Sequence, residues 1–220
     1  LEESDLRKEF PAVYQHLLRT VKPERDQNNR ELRKKFWWLF GEPNPGLHAM
    51  LLGLHRYIAT VETAKHRVFQ FLDGAIVPDN KIVVIASYDA LHLGVLSSRI
   101  HVSWALATGA TLEDRPVYPK STCFDPFPFP DPTPAQARAI RDLAEELDAH
   151  RKAAQAKGVS LTKQYNLLDK LRAEEPFTQA EQVLDAKALP SVLKELHDRL
   201  DRAVAEAYGW PADLSEAAIL

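Results

Sequence analysis

YPKSTCFDPFPFPDPTP, residues 118–134, divides the chain: Phe124, Phe127 and Phe129 stand among Pro126, Pro128, Pro130, Pro132 and Pro134. Each proline lacks a backbone donor and bars helical geometry to the residue before it. The stretch is therefore expected to run extended, as neither helix nor central strand, with its phenyl rings on a neighbouring surface and Asp125 and Asp131 facing outward. By physics alone it is a proline-stiffened linker with aromatic anchors. The chain on its N-terminal side reads as mixed helix and strand, and the chain on its C-terminal side reads as helix.

Working outward on the C-terminal side, Thr133-Pro134-Ala135-Gln136 is a helix start with an N-cap, a proline at the first helical position and a glutamine to close a capping box. Ala139, Ile140, Leu143 and Leu147 continue an apolar face toward Gly158. A second helix is expected over 161–171, a capping box at Thr178–Glu181, and a long helix over 190–208 with Leu193, Leu196, Leu200 and Val204 on one side, ended by Gly209-Trp210-Pro211. This half reads as an all-α hairpin or small bundle.

On the N-terminal side, 6–21 reads as one amphipathic helix that tolerates Pro11 in its first turn. The segment 19–35 holds seven basic residues against three acidic ones, which is most simply a solvated helix face. Phe36-Trp37-Trp38-Leu39-Phe40 stands directly behind it, with one tryptophan expected in a core and the other against a second element. A turn is expected at 41–46, then a short helix through Leu47, Met50, Leu51 and Leu54. Residues 56–61, 67–72 and 81–86 read as three strands, the last apolar enough for a sheet interior. Asp89 caps a helix carrying Leu93, Leu96, Ile100 and Trp104 and stopping near Gly109. The fold class is α+β: a small mixed sheet with helices over 1–130, then a helical domain over 131–220.

Of 220 residues, 28 are Lys or Arg and 31 are Asp or Glu. Residues 1–122 hold 16 basic against 14 acidic, and 123–220 hold 12 against 17, so any polyanion contact belongs to the first half. No run is long and apolar enough to span a bilayer. The single Cys123 excludes an intramolecular disulfide framework and fits a reducing, cytoplasmic setting. The absence of an initial methionine and the trailing DLSEAAIL suggest a piece of a longer protein.

Among eight histidines there is no HExxH and no zinc spacing, and His92 and His101 fall on opposed faces of one predicted helix. The glycines form no phosphate-cradling loop. Cys123 has no neighbour to activate it and reads as a buried thiol. Recognition remains. Glu62, Thr63, Lys65, His66, Arg67, Ser97, Ser98, Arg99, Glu113, Asp114, Arg115, Lys120 and Ser121 mix donors with carboxylates, the chemistry that reads base edges and holds phosphates. Two rivals stay open: a docking module using exposed aromatics such as Trp37 and Trp210, and a small hydrolase built on Cys123 or a histidine.

ETAKHRVFQFLD (62–73), NKIVVIASYDALHLGVLSSRIHVSWALATGA (80–110), YPKSTCFDPFPFPDPTPAQ (118–136) and YGWP (208–211) together resemble the C-terminal part of MmeI-like, single-chain restriction-modification methyltransferases. LGVLSSRIH and CFDPFPFP are the most specific words. The resemblance implies a target recognition domain up to the FPFP word and a helical domain beyond it. It also implies a parent enzyme whose separate domain binds S-adenosylmethionine and methylates adenine in double-stranded DNA. The catalytic Asn/Asp-Pro-Pro-Tyr word is absent, so no catalytic residue and no cofactor are assigned here. The implied contacts lie first in 109–121, with Arg115 and Lys120 as donors and Glu113 and Asp114 as acceptors. Lys65, His66, Arg67, Ser97, Ser98 and Arg99 are expected on phosphate, Arg99 alternatively on the FPFP strand from inside, and the cations before the FPFP word on one concave positive face.

Overall fold

The computed structural model describes residues 2–41 and 45–220 of the chain, so the turn expected at 41–46 lies partly outside the described residues. The chain forms two compact units, residues 1–52 and 53–220.

The first unit is helical: α1 (Glu3–Glu9), α2 (Pro11–Thr20), α3 (Lys22–Asp26), α4 (Glu31–Lys35) and α5 (Pro45–Leu51). The single helix expected over 6–21 is in fact two. Phe10 leaves helical geometry at φ −130°, ψ 60°, because the ring of Pro11 excludes its α conformation. Trp37 is buried and tilted against Tyr14 at 5.8 Å between ring centres. Trp38 lies edge-on to both Phe36 and Trp37. Part of the basic run pairs within its own helices, Lys22 with Asp26 at 2.7 Å and Lys34 with Glu31 at 3.1 Å.

The second unit begins with β1 (Arg56–Val61), β2 (Gln70–Asp73) and β3 (Ile82–Ile85), an antiparallel sheet in the order β2-β1-β3. Central β1 is buried along four of its six residues, whereas β3, expected inside, is a half-buried edge. β2 is shorter than expected: its pairing with β1 begins only at Gln70, opposite Ala59.

In place of the single helix predicted from Asp89 to Gly109 there are two, α6 (Ala90–Ser97) and α7 (Arg99–Thr108). Ser98 breaks them apart: with its backbone extended, its hydroxyl donates to Val95 O at 2.7 Å and accepts from His101 N to cap α7. Asp89 caps α6 as expected, accepting from Leu91 N at 2.8 Å, and also receives both ends of Arg141, which holds its carboxyl at about 2. His92 and His101 therefore sit on different helices.

A two-stranded hairpin comes next, β4 (Ala110–Leu112) and β5 (Arg115–Val117), and then one π-helical turn at Lys120–Phe124. That turn corrects the fully extended reading of 118–134: Asp125 N donates to Lys120 O at 3.0 Å before the prolines take over. From Asp125 to Thr133 the chain has no helix or strand, and Asp125 and Asp131 are exposed. Phe127 is buried edge-on to His101, with ring centres 4.3 Å apart, and Phe129 packs on Phe127 and Phe124. Tyr208 pins this strap by donating to Pro128 O at 2.6 Å.

Helices α8 (Pro134–Ala156), α9 (Leu161–Arg172), α10 (Gln179–Ala188), α11 (Pro190–Tyr208) and α12 (Glu216–Ile219) complete the unit. Both expected capping boxes form, Thr133 with Gln136 and Thr178 with Glu181. Gly209 ends α11 at φ 71°. Ile140, Leu147, Leu168, Leu193, Leu200 and Val204 make a closed helical core. A second core joins Ile58, Phe69 and Phe71 of the sheet side to Leu93, Leu96, Tyr118, Cys123 and Ala144. Cys123 is fully buried, as expected of an inert thiol. Trp210 is partly buried and stacked on Tyr208 at 4.6 Å, so it packs within the unit and not as the rival docking module would need.

Candidate nucleic-acid interface

The hairpin is built from its first residue. A Cβ at Gly109 would stand 2.5 Å from Ala105 O and 2.7 Å from Val117 O, so only glycine lets β4 leave α7 this closely. Leu112 then pairs with Arg115 and Ala110 with Val117 across a two-residue turn, in which Glu113 adopts φ 58°. Pro116 costs nothing on β5, an edge strand that needs no donor there. Residues 110–115 are all exposed.

On this projecting loop Arg115 Nη2 meets Glu113 Oε2 at 2.7 Å, with both side chains at least half exposed. Asp114 is exposed at the tip. Lys120 and Ser121 stand on the π-helical turn, also exposed, with Lys120 Nζ 2.7 Å from Asp125 Oδ2. The stretch 109–121 is thus a hairpin with a turn behind it, where the sequence offered only a loop.

The other predicted residues divide. Lys65 and His66 face a cleft of about 750 Å³ and are both held by Asn166 of α9, at 2.7 and 2.8 Å. Arg67 is only 7% exposed, and its guanidinium donates to Thr60 Oγ1, Val61 O, Glu62 O and Pro116 O. Burial lowers its pKa. Ser97 and Ser98 are buried too. Arg99 donates its side chain to Leu214 O and its backbone N–H to Asp201 Oδ1 at 2.6 Å. For Arg67, Ser97 and Ser98 the expected phosphate contact meets a plain obstacle: the side chains lie inside the protein. Helix and strand periodicity marks their neighbours as apolar but cannot tell that these polar groups go inward as well.

The cleft also corrects the expectation of one concave positive face. Lys65, Arg67, Arg99, Arg172 and Arg202 line it, but so do Asp169, Asp198, Asp201, Asp213 and Glu216. Burial pushes Asp201 up to about 6, against the N–H of Arg99 that favours its carboxylate. Arg172 and Arg202 escape sequence reasoning because nothing in the sequence separates them from ordinary basic residues on helix surfaces.

Beneath the hairpin, Tyr118 OH and His101 Nε2 share a hydrogen bond at 2.8 Å. Burial, and then the nearby Arg67 charge, lower His101 to about 3, so the imidazole is neutral. The base of the hairpin is therefore a fixed, dry polar cluster, while its tip is wet and charged.

The second unit thus presents an exposed, charged hairpin on a buried polar base, with a helical core packed alongside its small sheet. The chain belongs to the MmeI target recognition domain family, which it matches over residues 4–131. Across 99% of its length it is similar to a solved structure described as that of the Type IIL restriction-modification enzyme MmeI in complex with DNA, with 23% identity and a TM-score of 0.62. It spans 26% of that chain, and at this identity the likeness is one of fold. No curated protein matches the chain. No helix among the described residues is long and apolar enough to cross a membrane.

Proposed function

We propose that the chain reads base pairs of duplex DNA through the tip of the hairpin, on behalf of a larger restriction-modification enzyme that methylates adenine with S-adenosylmethionine. The observation that carries this reading is the exposed Glu113–Arg115 pair, an acceptor and a donor 2.7 Å apart on a protruding edge. Glutamate accepts from the cytosine amino group, and arginine donates to guanine O6 and N7. Side by side they suit a single C·G pair in the major groove. Asp114 offers a second acceptor, and Lys120, Ser121, Lys65 and His66 are the phosphate contacts. Arg67, Ser97 and Ser98 act inside the protein, and Arg99 on the cleft wall holds Leu214 O.

In this division of labour, the part up to about residue 130 recognises and the helices beyond it support. Methylation falls to a methyltransferase domain elsewhere in the parent, which takes the adenine out of the stack once the site is read. The first unit suits docking to that domain, because Leu32, Phe40 and Leu52 are each more than two-thirds exposed.

A module that only docks, without touching DNA, is the second reading, and the acidic half of the cleft lining favours it. Replacing Lys65, Arg115 and Lys120 with alanine separates the two. Duplex affinity, measured at two salt concentrations, falls and loses salt dependence under the first reading and is unchanged under the second.

A further inference from the structure

We infer that Arg67 is a positioning residue that sets where the reading hairpin stands, so that base discrimination depends on a side chain that never meets DNA. The inference rests on the hairpin-reading proposal above.

The hairpin has little support of its own. Each strand is three residues long, and every side chain of β4 is exposed. A lone pair of such strands is marginal in water. Its place is fixed at its base, where it joins the loop after β1. Ala64 N donates to Pro116 O at 3.2 Å, Tyr118 N donates to Glu62 O at 2.8 Å, and Thr63 bridges Val117.

Arg67 closes this junction. Its Nη2 reaches the same two carbonyls, Glu62 O at 3.3 Å and Pro116 O at 3.2 Å, while Nη1 holds Thr60 Oγ1 at 3.0 Å and Val61 O. One planar group thus ties the end of β1, the loop and β5 together. The Tyr118 ring lies 5.0 Å from the guanidinium carbon and adds a further attraction. Three carbonyl dipoles, the Thr60 hydroxyl and an aromatic face compensate the charge, and among the described residues no carboxylate pairs with it. A carboxylate would neutralise the cation at one point, whereas carbonyls from separate segments make it a spacer between them.

Leverage makes the junction matter. Arg115 stands two residues along β5 from Val117 at the base, about 7 Å, with Glu113 in the turn just beyond. A tilt of about 8° at the base displaces the reading atoms by about 1 Å, enough to spoil paired hydrogen bonds that need positioning to about 0.5 Å. Lysine cannot replace Arg67 here, because a point charge with three donors does not span four fixed acceptors.

The test selects the whole chain against a duplex library with a randomised centre. It compares affinity for the enriched duplex with affinity for the unselected pool, alongside thermal unfolding. Arg67→Lys is expected to lower that ratio about tenfold while affinity for the pool stays within about twofold. The hairpin reading itself fails if the native chain enriches no motif, or if Glu113→Gln with Arg115→Gln enriches the same motif undiminished. The positioning role is overturned if the hairpin variant loses the motif but Arg67→Lys keeps the native ratio. It is equally overturned if Arg67→Lys weakens both affinities alike, which marks a phosphate contact. Should Arg67→Lys not fold cooperatively, Thr60→Val removes one of the four acceptors. It is then expected to lower the ratio about threefold, and an unchanged ratio rejects the role.

Discussion

The helical scaffold and the hairpin of the second unit solve opposite problems. α8, α9 and α11 close over Ile140, Leu147, Leu168, Leu193, Leu200 and Val204, and supply their own ends through Thr133, Thr178 and Gly209. The hairpin buries no side chain completely and takes its place from outside, through Arg67 and Tyr118. The stability of the unit thus resides in the helical core, and the tip, under the proposed reading, is left free to meet DNA.

That separation can be broken most severely with acid, because the two regions meet at His101. Its folded pKa, about 3, lies below its unfolded value. Its contribution to stability is therefore present above about pH 6.5 and is lost as pH falls toward 3, up to about 4 kcal/mol at the low end. Asp201 works the other way: raised to about 6, it favours the folded state at low pH and loses that contribution as pH rises through 6. Because the displacement of His101 is larger, urea midpoints are expected to drop on acidification below pH 6.5, and His101→Gln should flatten the profile. Next in size, Leu200→Ala removes a fully buried side chain from the scaffold. It should cost about 3 kcal/mol in urea unfolding with base discrimination retained. Thr133→Ala deletes the cap of α8 and one arm of its capping box, for about 1 kcal/mol.

Legibility in the sequence obeys the same division. The caps at Asp89, Thr133 and Thr178 and the stop at Gly209 depend on residues within a turn of one another, and each forms as read. The helix break at Ser98 depends on one hydroxyl bonding back to Val95 O, which periodicity does not register. The hairpin is hidden in the sequence because its turn is Glu113-Asp114, without the Asn-Gly signature, and its strands are too short to alternate. The charges of the site are legible as charges; their direction is not. Arg67 precedes Val68-Phe69-Gln70-Phe71, a run bound for the core, and that context is the one local hint that it turns inward.

The smallest expected effect on stability is the sharpest test of the comparison. Glu113→Ala with Arg115→Ala alters two exposed side chains that pair mainly with each other. Such surface pairs contribute little, so unfolding should shift by about 0.5 kcal/mol or less. Affinity for the preferred duplex should nonetheless fall about tenfold or more, with the unselected pool far less affected. Lys120→Ala, by contrast, should weaken all duplexes alike and lower the salt slope by about one. If the hairpin substitution instead costs as much stability as Leu200→Ala, the tip is part of the core after all and the two regions are not separate. If it changes neither stability nor discrimination, the reading surface lies elsewhere, and Lys65 and His66 at the cleft mouth become the next residues to replace.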